Sequence, residues 1–423
     1  MKKLILIISF LIPDLLLSAP GDLLWRYKTG NAILSSPYIS EGTVYFGSDD
    51  NYLYALNSTD GSLKWRYNTT NRISSSANIS EGTVYFGEWI YLNAVSSSTG
   101  NFIWRYQTGD YIYSTPEVSS GAVYFGCNDT FLYTLNSYNG TLYGKYKTEG
   151  YVISSPLISD GTVYVGSNDN YIYAIKISDG LLKWRYKTGN WIVSSPCISE
   201  GIVFVGSCDY YLYAINSSDG TLKWRFRTNH DIYSSPCVSD GVVFVGSDDF
   251  YLYAINTSGG TFRWAYKTND RVLSSPYVSD GVVYVGGWDT YVYAVNSSDG
   301  ILKWNYKTGN STQSSPSVSN GVVYIGSNDT YLYAIETYGY KGFKDNKSVS
   351  YIPAKSFSVS PNPFTDRLSL SLPTSGVIYS LTGQLVVKLD KRKHSLDTSR
   401  WREGVYIVKA GNEFKKVVKF IKH

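Results

Sequence analysis

Histidine, methionine and cysteine are all scarce in this chain. Of 423 residues, three are His, one is Met and four are Cys, and only 17% carry a charge. Each shortage excludes something. The four cysteines, Cys127, Cys197, Cys208 and Cys237, form no close pair, no Cys-x-x-Cys-His haem attachment and no zinc-ligand spacing. They read as small buried strand residues, and sequence leaves a disulfide between any two of them open. His230 is the one histidine before the last hundred residues. It stands beside Asp231, but adjacency fixes no geometry for Ser-His-Asp chemistry. There is no glycine-rich phosphate loop. After the first apolar run, Leu4 to Leu17, no stretch is long and apolar enough to cross a bilayer.

Positive charge is also missing where a nucleic-acid partner would need it. Residues 341–423 carry 16 Lys and Arg against 6 Asp and Glu, which leaves 22 against 28 in residues 1–340. A mildly acidic body excludes phosphate-backbone binding, and a basic tail marks a second unit with a different job. The N-terminus reads Met-Lys-Lys, then the short apolar run, then Ser18-Ala19-Pro20. That order is a secretory signal peptide over residues 1–19. No cysteine stands near residue 19, so a lipid anchor is not supported.

What the chain has in excess is tyrosine (41), glycine (38) and repetition. Ala214-Ile-Asn-Ser-Ser-Asp-Gly-Thr-Leu-Lys-Trp224 recurs at Ala55 to Trp65, Ala94 to Trp104, Ala174 to Trp184, Ala254 to Trp264 and Ala294 to Trp304. A degraded copy, Thr134 to Gly144, has glycine where the tryptophan belongs, and Trp25 stands upstream without its first half. The period is 39–40 residues. Such a period marks an array of supersecondary units. One unit reads Ser194-Ser-Pro-Cys-Ile-Ser, turn, Ile202 to Gly206, turn, Tyr211 to Ile215, turn, Leu222 to Phe226. This is a four-stranded antiparallel meander with glycine-marked turns. Its strands are apolar on both faces, so both faces are covered. Radial stacking satisfies that requirement and predicts an all-β, eight-bladed β-propeller over residues 20–337. The first three strands occur eight times and the fourth strand eight times, offset by one. Leu24 to Tyr27 therefore completes the last blade, whose third strand is Tyr331 to Ile335, and no edge is left open.

The motif Ala-x-Asn-x-x-Asp-Gly-x-x-x-Trp resembles the tryptophan-docking repeat of pyrroloquinoline-quinone-type propellers. That group includes the eight-bladed quinoprotein alcohol dehydrogenases and the outer-membrane assembly lipoprotein propeller. The resemblance implies that Trp25, Trp65, Trp104, Trp184, Trp224, Trp264 and Trp304 each pack on a neighbouring blade. It also raises a quinone-dependent dehydrogenase using the quinone with Ca²⁺ as an alternative. No adjacent Cys pair and no insertion walling in a cofactor is present, so no catalytic, cofactor or metal residue can be carried over. Residues 338–352 read as a linker. Residues 353–423 resemble a type IX secretion C-terminal sorting domain, through Pro361-Asn-Pro363, Leu381-Thr-Gly-Gln-Leu-Val386, Gly404-Val-Tyr-Ile-Val-Lys409 and the terminal Lys-Phe-Ile-Lys. Its short strands suggest a small β-sandwich. The resemblance implies export to the surface of a Gram-negative cell, or release, by the type IX machinery.

Near-identical repeats separate fold from function. Asp50, Asp129, Asp169, Asp209, Asp249, Asp289 and Asp329 recur in one turn and read as turn caps. Ser48-Asp-Asp-Asn51 is the nearest approach to a calcium loop, and a weak one. The loop after the fourth strand varies instead, supplying Arg72, Tyr111, Tyr113, Tyr151, Trp191, Asp231, Tyr233 and Arg271. The turn between second and third strands adds Trp89, Tyr210, Phe250 and Trp288. A meander places both loop sets on one rim. Aromatic and Arg side chains on rigid loops are binding anchors. The expectation is a non-catalytic binding or scaffold module whose partner is a protein or glycan at the cell surface. Glycan binding and an outer-membrane assembly role remain alternatives.

Overall fold

The computed structural model describes residues 19–337 in full and, beyond them, the backbone of seven strands between Ser358 and Lys419. The chain divides into two compact units, Met1–Tyr340 and Lys341–His423. The apolar run at residues 4–17 and the linker at 338–352 lie outside the described residues.

The first unit is an eight-bladed propeller of four-stranded antiparallel sheets. β1 (Leu23–Lys28) precedes the first complete blade, which is β2 (Tyr38–Ser40), β3 (Thr43–Ser48), β4 (Tyr52–Asn57) and β5 (Leu63–Asn68). β1 pairs with Tyr331–Glu336, Trp25 standing opposite Ala334 and Lys28 opposite Tyr331. The ring is thus closed by hydrogen bonds between strands about 300 residues apart in sequence, as the offset of the repeats requires. Each first hairpin turns through two residues with positive φ, such as Glu200 (+50°) and Gly201 (+71°). Both angles suit the tight hairpin turn whose twist matches the strands.

The innermost strand is shorter than the sequence suggests. It spans Cys197–Ser199, not Ser194 to Ser199. Pro196 has no N–H to donate, and the two serines before it make bonds outside the strand ladder instead. The Ser195 N–H donates to Ser235 Oγ at 2.9 Å, and Ser235 N–H to Ser275 Oγ at 2.9 Å. Ser315 N–H reaches Ser36 Oγ at 3.0 Å and links the last blade to the first. The other serine ties its own blade, Ser35 Oγ accepting from Gly47 N at 2.8 Å.

The second and third strands are buried on both faces, as in Ile202–Gly206 and the middle of Tyr211–Asn216. The core is a ring of layers between blades. One layer packs Ile202, Phe204, Leu212 and Ala214 against Val243, Val245, Tyr253 and Ile255 of the next blade. The outer strand alternates exposed and half-buried residues. Its arginines shield the tyrosines of the third strand: Arg225 lies 4.4 Å above the Tyr211 ring and Arg185 4.5 Å above Tyr171. Each such cation–π contact contributes roughly 0.5–1 kcal/mol.

The repeat's tryptophan crosses seven of the eight seams, as the resemblance implies for the seven tryptophans. Trp184 stands opposite Ala174 in its own sheet. Its indole N–H donates to the Ser217 carbonyl of the next blade at 2.9 Å. Trp65 does the same to Ser97 (2.9 Å), Trp224 to Thr257 (2.8 Å) and Trp264 to Ser297 (3.0 Å). Trp25 closes the circle on Ser58 at 3.1 Å. The motif glycine is the seat of the incoming ring. A Cβ on Gly220, where φ is +77°, would lie 2.7 Å from Trp184 Cδ2. At Gly180, facing the degraded copy, φ is +69° but nothing lies within 4 Å of such a Cβ.

In the second unit the described strands form a three-stranded sheet, with Arg367–Ser371 central, and a four-stranded antiparallel sheet containing Gly376–Ser380 and Gly404–Ala410. The side chains that would show a sandwich lie outside the described residues.

These glycines supply a paired test. Gly180→Ala meets only the left-handed backbone penalty of about 1–2 kcal/mol. Gly220→Ala must also displace an indole, and urea unfolding is expected to show a further loss of about 1–3 kcal/mol.

Candidate functional site

The loops after the outer strands and the turns between second and third strands do meet on one rim, joined through their backbones. The Ile112 N–H donates to the Trp89 carbonyl at 2.8 Å. Trp288 N–H donates to Arg271 O at 3.0 Å, and Asp248 N–H to Asp231 O at 3.0 Å. The recurring turn aspartates hold this lattice. Asp209 accepts from Gly189 N in the incoming loop (2.6 Å), from Tyr211 N in its own turn (3.1 Å) and from the Tyr213 hydroxyl (2.6 Å). Asp50 and Asp249 repeat the set. The second blade is a residue short at this turn. There Glu88 reaches back to Thr70 N (2.6 Å) and Asn71 N (2.8 Å), and Asn93 replaces the tyrosine as its donor. The aspartates are therefore turn caps. Their partners hold the tyrosine protons: burial first, then the hydrogen bond to Asp209, pushes Tyr213 well above the ordinary phenol range.

On this lattice the variable side chains fall into three groups. Trp89 and Tyr111 have ring centroids 6.1 Å apart, and Tyr111 stacks on Tyr113 at 6.0 Å. Arg72, Asn71 and Ser74 line the same shallow depression. In the second group Tyr210 lies 5.5 Å from the His230 ring, and the Tyr233 hydroxyl donates to Asp231 Oδ2 at 3.1 Å. In the third, the Arg271 guanidinium sits 5.4 Å from the Trp288 ring and 3.8 Å from the Asp248 carboxylate. Tyr151, Trp191 and Phe250 are exposed on the same rim, Trp191 by 52%. Trp89, Tyr210 and Phe250 hold positive φ (+46°, +77° and +76°), a conformation that costs a bulky residue of order 1 kcal/mol.

His230 Nδ1 accepts the Asp231 backbone N–H at 2.9 Å, and among the described residues no serine hydroxyl bonds to its imidazole. The cysteines are free thiols, with Cys127 and Cys208 buried. Cys127 Sγ stands where most repeats have a turn serine and donates to Asp110 O at 3.2 Å. Burial pushes Cys127 and Cys208 up to about 12, so they are thiols rather than nucleophilic thiolates.

Sequence reasoning named Trp288 as a rim residue but did not single out the column it belongs to. The residue before the turn aspartate is Asp49, Asn128, Asn168, Asp248, Trp288 or Asn328 in six of the blades. A side-chain oxygen of each Asp or Asn, and Nε1 of Trp288, is buried without a partner. Buried orphan acceptors cost roughly 1–3 kcal/mol each unless ordered water reaches them. The column was visible as variation in the repeat, but its orientation was not. A quinone with its calcium does not fit these residues. The turn carboxylates are already held by three donors each. Among the described residues no three His, Cys, Asp or Glu side chains gather as metal ligands.

A propeller family described as "Beta-alanine-activating enzyme, beta-propeller" matches residues 69–282, half of the chain. The chain belongs to this propeller family. The model of the outer membrane protein assembly factor BamB matches residues 228–339 of the same propeller. Residues 358–423 match the secretion system C-terminal sorting domain. No curated protein matches the chain. Among solved structures, the computationally designed Ika8 protein aligns with a TM-score of 0.67 at 15% identity, over 76% of this chain and 99% of its own. BamB from Moraxella catarrhalis aligns at 0.67 and 17% identity, over 75% and 99%. A europium-containing methanol dehydrogenase aligns at 0.63 and 13%, over 72% and 84%. At these identities the likeness is one of fold.

The orphan acceptors yield a pH test. Burial raises the Asp248 carboxyl above its ordinary range, and Arg271 offsets this only in part. A raised carboxyl weakens folding as pH climbs from the unfolded pKa through the folded one. Asn fits the equivalent site at positions 128, 168 and 328. Asp248→Asn is expected to raise the melting temperature at pH 7, with the gain shrinking as pH falls toward the ordinary carboxylate range.

Proposed function

We propose that this propeller is an exported, non-catalytic binding module that captures a protein or glycan at the cell surface through its variable rim. The observation that carries the reading is the cluster of Trp89, Tyr111 and Tyr113 beside Arg72, set on turns fastened by backbone hydrogen bonds. Aromatic faces with one guanidinium on rigid backbone bind at low entropic cost, whether to sugar rings or to protein side chains. The depression there is shallow, about 10 Å³, which suits a surface contact and not an engulfed substrate. The sorting domain supports export, and its type IX character makes the secretion machinery the tail's partner. An outer-membrane assembly role like that named for the BamB model is the second reading. A tail addressed for export beyond the periplasm favours the surface instead.

Replacing Tyr111, Trp191 and Arg271 together by alanine is expected to abolish capture of ligands from a surface fraction and from a glycan array. Melting should change by no more than a few degrees, since these side chains are about half exposed. Unchanged capture profiles would sink the rim reading.

A further inference from the structure

Seven seams of the ring are occupied by an indole and one is not. We propose that the vacant seam, between the third and fourth blades, is a binding site for a small indole, with 3-methylindole as its best complement. Gly144 stands at the tryptophan register position, opposite Thr134 where the other blades have alanine. A cavity of about 410 Å³ remains, with Tyr124, Leu132, Tyr146, Val163 and Ile175 among its walls and Gly144 and Gly180 facing it. That volume lies in the range of small-molecule sites.

The neighbouring seams show what the vacancy is shaped to hold. In each, the indole rests on a motif glycine, tilts against an aromatic ring of its own blade and donates to one carbonyl of the next blade. Around Trp184 these are Gly220, Tyr164 at 5.7 Å and Ser217 O. Around Trp104 they are Gly140, Tyr85 at 5.8 Å and Ser137 O, to which the Tyr85 hydroxyl also donates at 3.0 Å. The vacant seam keeps the glycine, the aromatic ring and the carbonyl, with Thr134 in place of the alanine. Gly180 is bare, with no atom within 4 Å of a Cβ placed on it. Tyr124, 5% exposed, is the buried ring with no indole against it. The Ile177 carbonyl holds the acceptor position, 33 residues after Gly144 as Ser217 is after Trp184, and accepts no hydrogen bond among the described residues. A buried aromatic face, an apolar wall and an unmet carbonyl together select a flat bicyclic ring with one N–H. The side chain missing from Gly144 is a methylene-linked indole, so 3-methylindole replaces it atom for atom. This site is separate from the rim and does not depend on the reading of it.

The test is titration of the full-length protein with 3-methylindole. Expected are a saturable rise in melting temperature, one bound molecule per chain, and slowed amide exchange confined to residues 142–147 and 176–180. 1-Methylindole, lacking the N–H, should bind about tenfold more weakly. Gly144→Trp supplies the ring covalently and should abolish binding. Trp184→Gly should create a second site and raise the stoichiometry to two. No saturable binding to the wild-type chain would overturn the proposal, as would protection elsewhere in the ring. Undiminished binding by folded Gly144→Trp would do the same. The exchange pattern of the wild-type chain decides the matter even if that variant fails to fold.

Discussion

Seven of the eight blades of this protein are held to the next by a tryptophan that leaves its own sheet and ends on its neighbour's turn. Trp184 needs an alanine opposite it, a bare glycine beneath it and a carbonyl at its edge. Those three needs account for Ala, Gly and Trp in the eleven-residue motif. The glycine must be glycine twice over, because its φ is left-handed and because any Cβ would occupy the ring's place. Since Trp25 docks on Ser58 in the same manner, the same contact that joins two blades also closes the circle. The layers between blades, such as that joining Phe204 and Leu212 to Val243 and Tyr253, then bury both faces of every sheet.

A ring fastened this way leaves its rim free to vary. The turn aspartates keep the loops in one conformation whatever the next residue is, which is how Arg72, Tyr111, Trp191 and Asp231 can occupy one equivalent position. The short turn of the second blade illustrates the constraint. The shorter turn has no aspartate, and Glu88 with its longer arm takes over the bonds to the incoming loop, with Asn93 as its donor on the third strand. Function drawn from such a rim rests on side chains the fold does not need. Membership of the propeller family and the sorting tail are consistent with that division of labour.

The fold was legible almost to the residue because repetition averages out local ambiguity. Blade number, ring closure and the docking tryptophans all follow from counting copies of one pattern. The innermost strand was misjudged by three residues for a physical reason: Ser194 and Ser195 look extended, but Ser195 bonds to the next blade and Pro196 cannot join a ladder. The rim was legible as a set of positions and not as a site. That Trp89 meets Tyr111 while Trp191 stands apart depends on centroid distances that no spacing encodes.

The sequence by itself determined the architecture, since a 39–40-residue period with two-faced apolar strands has one economical packing. It also marked Gly144 as the broken copy. Only the tertiary structure decided what that break means. A missing side chain is an absence in one strand, but a cavity is a relation among several: Tyr124 from one blade, Val163 and Gly180 from the next, and the Ile177 carbonyl between them. In the same way, only the folded ring showed that Asp49 and Asp248 bury oxygens with no partner. Burial and unmet hydrogen bonds are properties of neighbours, and neighbours in this protein lie about 40 residues apart.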